Sequence, residues 1–335
     1  MSEHILSIAS GISRCPDDVT SVYSQSFSGV AAIKKNVKYK QLVMNTLRKA
    51  VLHTLPVWLL ASGNAFGATL FFDDFSGSSL DETVWHLPEG VGTFFGRTQI
   101  KPPEFGGQNL RPVVAGGSVK LRFDTYNASA LTPGDSFWGH EIQTIEEFLP
   151  GTQGISIETR MRFPGTPAGG IVGGFFSYAA NDPFNRPEID IELLTNDLGS
   201  ERFLTNVYDD SVANGAGDAV FALIPGFDMT DWNTYEIRWL PDRIQWLLNG
   251  IQVRELIAAT ANNPSEVRLN FWAPASSFGP AYDVNLQPAT SAGANQQFEL
   301  EIDYVQVSSI PLPPAILLFS SALVLLGWAG RRRSS

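Results

Sequence analysis

The chain has 335 residues, 44% of them hydrophobic and 17% charged, enough for one sizeable domain or two small ones. Seven of its 23 basic residues precede residue 68 and three close the chain, whereas only three of its 34 acidic residues lie in those ends. The middle therefore sets 31 acids against 13 bases. A body so acidic repels phosphate backbones, which excludes nucleic-acid binding. The single cysteine, Cys15, lies ahead of that body, so disulfide and thiol chemistry are excluded from it as well.

Residues 1–43 are polar and show no clear period. Met44 to Ala68 then has the three parts of a secretory signal. Arg48 and Lys49 are the positive start, Ala50–Ala61 is a short apolar run, and Ala65, Gly67 and Ala68 are small residues suited to signal peptidase. His53 and Pro56 weaken the run as a membrane span, which needs about 20 apolar residues. A signal belongs at the very start of a protein. Translation is therefore expected to begin at Met44, with residues 1–43 a mis-annotated extension.

From Thr69 to Ser308 the chain reads as many short strands, with no persuasive helical period. Aromatic residues are plentiful there, and each segment is bounded by Gly, Pro, Asn or Asp. The predicted strands are Leu70–Phe72, Val119–Phe123, Ile155–Phe163, Ile171–Tyr178, Glu188–Leu193, Phe203–Tyr208, Tyr235–Leu240, Ile244–Leu248, Arg268–Trp272 and Phe298–Val307. Ile155–Phe163 and Phe298–Val307 alternate cleanly between apolar and polar residues. Asp242-Arg243 and Asn249-Gly250 read as turns around Ile244–Leu248. About 240 residues of this kind, without an internal repeat, favour one antiparallel sandwich in a single domain, 69–308.

Glu188-Ile189-Asp190-Ile191-Glu192 is the most informative stretch. On a strand the three carboxylates share one face and the two isoleucines enter the other. Crowded like charges destabilise a sheet face and push pKa values apart, so one carboxyl ionises while a neighbour keeps its proton. Cleavage of a glycosidic bond by two carboxyl groups needs that division.

The chain closes on Ile310-Pro311-Leu312-Pro313-Pro314, the apolar run Ala315–Gly330 and Arg331–Arg333. Sixteen residues is short for a span, and the arginines would stay cytoplasmic. This tail resembles the PEP-CTERM class of sorting signals in its Val-Pro-Leu-Pro-Ala variant, with Ile310 in place of Val and Pro314 ahead of Ala315. The resemblance implies a Gram-negative bacterium whose exosortase-type enzyme cuts the tail during export. The domain is then extracellular or held at the cell surface until the tail is processed.

The body itself resembles glycoside hydrolase family 16, the laminarinase, lichenase and xyloglucan-transglycosylase clan. Six segments carry the resemblance in the family's order: Gly139–Thr144, Gly170–Tyr178, Glu188–Glu192, Thr205–Tyr208, Trp232–Gly250 and Leu269–Ala273. It implies an all-β, concanavalin-like jelly roll of two antiparallel sheets. It also implies Glu188 as nucleophile, Glu192 as general acid/base and Asp190 between them as electrostatic and hydrogen-bonding helper. Glu141, Asn206 and Tyr208 match positions that hydrogen-bond sugar hydroxyls. Phe176, Tyr178 and Trp272 match aromatic positions on which sugar rings pack.

Retaining chemistry adds a geometric condition. Residues four apart on a strand have Cα atoms about 13 Å apart, so the two glutamates must lean together to bring their carboxyls within about 5–5.5 Å. An ionised Asp190 between them is expected to raise the pKa of Glu192. Two departures from lichenases stand out: Arg186 where they carry an aromatic, and Gln143 where they carry an arginine. Asp303 occupies the position through which many family members hold a structural calcium. No cofactor is expected in catalysis, and His86 and His140 lack companions at zinc-ligand spacing. Trp239 and Trp246 read as packing residues.

The expected activity is that of a secreted, monomeric endo-β-glycanase acting on an extracellular β-glucan-type polysaccharide by retaining double displacement. A transglycosylase on the same substrates is the alternative within the enzyme class, and a lectin-like surface protein the alternative outside it.

Overall fold

A computed structural model of the protein describes residues 67–88, 94–179, 187–208, 217–257 and 263–311. The proposed signal and the apolar part of the tail lie outside these residues, as do Cys15 and Arg186. Among the described residues no helix is long and apolar enough to cross a membrane.

Two antiparallel sheets lie face to face. One, here the back sheet, runs through Val119–Asp124 and Thr69–Asp73, both paired with Gln297–Ser309, then Ile155–Arg162, Asn233–Leu240, Arg243–Leu248 and Ile251–Leu256. The other, the cleft sheet, runs Trp85–His86, Phe137–Thr144, Glu266–Trp272, Val172–Tyr178, Glu188–Leu194, Arg202–Tyr208 and Val220–Leu223. This is the all-β jelly-roll sandwich that the strand pattern predicts.

Alternation explains the layers. Ile155, Ile157, Thr159 and Met161 are buried, while Ser156, Glu158, Arg160 and Arg162 between them are only partly so. The inward residues of both sheets form one core that includes Ile189, Ile191, Phe175, Leu269, Tyr235, Trp239, Trp246, Leu300 and Val305. Each large apolar side chain taken out of water there contributes about 1.5–3 kcal/mol. Trp239 and Trp246 are packing residues, as expected. Trp246 also donates its indole N–H to the carbonyl of Asp190 at 3.0 Å, so a core side chain is anchored to the backbone that carries the carboxylates.

All ten predicted strands are present. Phe137–Thr144 and Ile251–Leu256 are additional: the first is polar at its centre, and the second is an exposed edge with no buried face to impose alternation. Asn249 and Gly250 both have positive φ, 50° and 78°. That is the backbone of the tight hairpin turn predicted there, and glycine adopts it without strain. The other turn sits one residue earlier than predicted, because Arg243 already pairs with Leu240.

The start and end of the sandwich are knitted together. Ser309 N–H donates to the carbonyl of Ala68, and Ile310 N–H to the carbonyl of Gly154.

Candidate active site

Residues directly opposite one another on antiparallel strands point to the same face, so the ladder registers lay out the cleft floor in rows. The first row is Glu266–Tyr178–Glu188–Tyr208. The second is Gln143–Arg268–Phe176–Asp190–Asn206, and the third Glu141–Asn270–Gly174–Glu192–Leu204. A fourth holds Trp272, Val172 and Leu194. Phe95, Gly174, Phe176, Glu188, Asp190, Glu192, Tyr208, Asn270, Trp272 and Phe278 line a cleft of about 320 Å³.

The three carboxylates therefore share one opening while Ile189 and Ile191 fill the core beneath. Glu188 and Glu192 are partly buried, and Asp190 between them is 3% exposed. Burial is the largest cause of change at all three, because a charge loses its water there. It pushes Glu188 up to about 7, held down by a hydrogen bond from Asp190 and by the positive charge of Arg268. It pushes Glu192 up to about 8, helped by the charge of Glu188 and opposed by nothing.

Asp190 is raised well above the ordinary carboxylate range, by burial first and then by the charges of Glu188 and Glu192 on either side. Its bond with Glu188 lowers Glu188 and raises Asp190, so Asp190 keeps its proton and donates it. The sequence expectation of an ionised Asp190 is thereby corrected. Complete burial first, and then the Glu188 charge beside it, keep the middle carboxyl neutral, and Glu192 owes its high value to burial first.

The other expected residues divide. Phe176, Tyr208 and Trp272 line the cleft, Trp272 packed between Phe95 and Phe278. Asn206 is buried beside Asp190, and its amide donates to that carboxyl. Tyr178 lies beneath Arg268, whose guanidinium sits 4.6 Å from the ring centre. Glu141 lies on the same sheet face but is buried beneath its neighbours there. It accepts from Gln143 at 2.5 Å, Asn270 at 3.2 Å and Arg268 at 3.4 Å. Glu141 thus orients Asn270 rather than opening to the cleft.

Asn270, Arg268, Gly174, Phe95 and Phe278 were missed in the sequence reading. A signal for two of them existed: with Trp272 facing the cleft, the period of two along its strand places Asn270 and Arg268 there too. Gly174 makes room for Asn270, since a Cβ at 174 would lie 2.3 Å from its side-chain oxygen. That oxygen and the Asn206 oxygen are buried without a partner. Both are acceptors on either side of the carboxylate strand, suited to hydroxyl donors.

His140 is buried, accepting from the N–H of Arg122 through Nδ1 and donating from Nε2 to the carbonyl of Leu110. Burial lowers its pKa well below the ordinary value, so it is a neutral structural residue. Asp303 sits on the back sheet, away from the cleft. It is the extra residue where Arg160 pairs with Tyr304 and Met161 with Ile302, and its Oδ2 accepts from Arg160 at 2.7 Å. Calcium takes six to eight oxygens. A carboxylate already neutralised by arginine is a poor donor, and no group of three acidic or histidine side chains stands ready for a metal among the described residues.

A model of the glycosyl hydrolases family 16 matches residues 107–306. The chain belongs to that family. Among its relatives is a β-glucanase of Brevibacillus brevis, 32% identical over 166 residues, which are 48% of this chain and 57% of the relative. A β-glucanase of Fibrobacter succinogenes is 30% identical over 160 residues, 44% of this chain and 43% of the relative. The chain thus spans about half the length of these relatives. Among solved structures, a β-1,3-1,4-glucanase (lichenase) derived from a mouse hindgut metagenome superposes with a TM-score of 0.55 at 22% identity, covering 72% of this chain and 99% of that one. An endo-β-1,3-glucanase from Pyrococcus furiosus gives 0.57 at 18% identity, covering 74% and 96%. At these identities the structures show that this family 16 chain shares their fold.

Proposed function

We propose that the domain is an endo-acting hydrolase of a β-glucan-type polysaccharide, working by a retaining double displacement. The observation that carries this reading is geometric: Glu188, Asp190 and Glu192 open from one strand into a single cleft lined by Phe176, Tyr208 and Trp272. Burial raises both glutamates, and the Arg268 charge offsets that rise at Glu188, in the sense a nucleophile and an acid require. In the first step the proton of Glu192 passes to the glycosidic oxygen as its bond to the anomeric carbon breaks. A carboxylate oxygen of Glu188 bonds to that carbon. In the second step Glu192, now ionised, takes a proton from water, whose oxygen displaces Glu188.

Phe176, Tyr208 and Trp272 offer aromatic faces and edges against which pyranose rings pack, while Asn206 and Asn270 supply acceptors for hydroxyls. The β-glucanase relatives make β-glucan the first substrate to test. The decisive experiment is reducing-end release from β-1,3- and mixed-linkage glucans, with NMR of the first-formed anomer. Retained configuration in oligosaccharide products is expected. Inverted products would sink the mechanism, transfer to an acceptor sugar would indicate a transglycosylase, and binding without turnover would indicate a lectin-like protein.

Because Asp190 is a neutral hydrogen-bond donor in this scheme, Asp190→Asn keeps the donor and removes little else. It should lower kcat by about tenfold, the order of one hydrogen bond to a charged group. A loss of kcat as deep as that of a nucleophile-less enzyme would show that Asp190 works as a charge instead.

No calcium is needed at Asp303, where Arg160 supplies the positive charge. EDTA should leave Tm unchanged to within about 1 °C; a fall of several degrees, reversed by calcium, would overturn this.

We also assign residues 44–68 as an export signal and 309–335 as a sorting tail processed by an exosortase-type enzyme, which places the domain outside the cell. Mass spectrometry of the protein from the culture medium should find neither segment. Recovery of the full chain from the cytoplasm would refute the assignment.

A further inference from the structure

Glu141, Glu188, Asp190, Glu192 and Glu266 are five carboxyl groups on neighbouring positions of one sheet face. Among the described residues the ion pairs reaching into this group are those of Arg268. Its side chain is 11% exposed, so its charge acts where water screens poorly. The guanidinium leans mainly toward one row, although its Nη1 also reaches Glu141, in the row of Glu192, at 3.4 Å. Its Nη2 and Nε lie 2.5 and 2.8 Å from Glu266 Oε2, and it covers the Tyr178 ring. Glu266 and Tyr178 are the row of Glu188. Glu192 stands two rows from that of Glu188, opposite Gly174, and among the described residues it has no ion pair.

Arg268 also pairs in register with Gln143, so a cation placed at 143 would stand one strand away on the same face.

We propose that Arg268 is a positioning residue for the Glu188 carboxylate: it supplies the positive charge that divides the two glutamates into an ionised and a protonated partner. The proposal rests on the hydrolase reading of this cleft. A buried carboxylate with an opposite charge nearby is stabilised in its ionised form, and without that charge its pKa rises. The other titratable groups facing Glu188 are Asp190 and Glu192 on its own strand, Tyr178 on one side, Tyr208 on the other, and Glu266 and Glu141 beyond Tyr178. None of these side chains can carry a positive charge, so among the described residues none can replace Arg268.

The test compares Arg268→Met, Arg268→Gln, Arg268→Lys and the swap Arg268→Met/Gln143→Arg. In the pH profile of kcat/KM the acid limb should move up by about one pH unit in the two neutral variants. Lysine should keep most of the wild-type limb, and the swap should restore it in part. KM should change by less than about threefold while kcat near neutral pH falls about tenfold. An unmoved acid limb in Arg268→Met overturns the proposal, whatever happens to kcat. If the neutral variants melt below the assay temperature, the swap decides alone: a folded swap without the wild-type limb overturns it. Carboxyl ¹³C NMR, with Glu188 assigned through Glu188→Gln, reads the same pKa without turnover. It therefore judges Arg268 even if the glucan panel yields no product, a result that counts against the hydrolase reading instead.

Discussion

Glu188→Gln should lower kcat on β-glucan by at least about 10⁴-fold while leaving the domain folded. Glutamine is isosteric, accepts the hydrogen bond from Asp190 and keeps the strand in register, but it cannot form the ester to the anomeric carbon. Removing a nucleophile costs on the order of 10⁶ in the best-studied hydrolytic triads, and what survives is catalysis by binding and polar groups alone. The variant also removes a charge from a site where burial has already pushed the carboxyl up to about 7. Its melting temperature should equal or exceed that of the wild type. The measurement is kcat on soluble glucan beside a thermal melt. Activity within about tenfold of the wild type would remove Glu188 from the chemistry.

The second large effect is expected at Glu192, with a signature of its own. Glu192→Gln should lose about 10²–10⁴-fold on glucan, the range for a general acid. On an aryl glycoside whose leaving group needs no proton, the glycosylation step should lose far less. Equal losses on both substrates would mean that Glu192 does not protonate the leaving oxygen.

Stability should move the other way. The folded-state pKa of Glu192 is raised to about 8, against about 4.3 for an unfolded glutamate. Its contribution to stability is therefore fully present below about pH 4 and is lost as the pH rises toward 8, because only the unfolded chain gives up the proton easily. Glutamine has no proton to lose. The variant should thus gain over the wild type as the pH rises, by at most about 5 kcal/mol at pH 8, the full value of a rise from about 4.3 to about 8. A constant difference in Tm between pH 4 and pH 8 would contradict the assigned shift.

The sandwich was legible in the sequence because its strands are half-buried, and alternation such as that of Ile155–Arg162 records burial directly. Ile251–Leu256 was not, because an edge with both faces near water leaves no such record. The same rule governs the site. Glu188, Asp190 and Glu192 were readable because their faces follow from their spacing alone. Arg268 and Asn270 share the face of Trp272 by the same spacing, but their place near the carboxylates is set by ladders between residues more than 80 positions apart. The neutral state of Asp190 was out of reach for a related reason. It depends on how much water is excluded, and a sequence lists neighbours without giving their distance from solvent. Glu141 shows the limit of matching by motif: its position was foreseen, but the three donors that occupy it were not.

The backbone bonds that join Ala68 to Ser309 and Ile310 to Gly154 put the entrance and exit of the sandwich on one margin of the layer that bears no carboxylate triad. Until the proposed sorting tail is processed, its pull therefore falls on the reverse of the molecule. The working surface then stays turned outward, free to receive a polymer anywhere along its length instead of only at a loose tip.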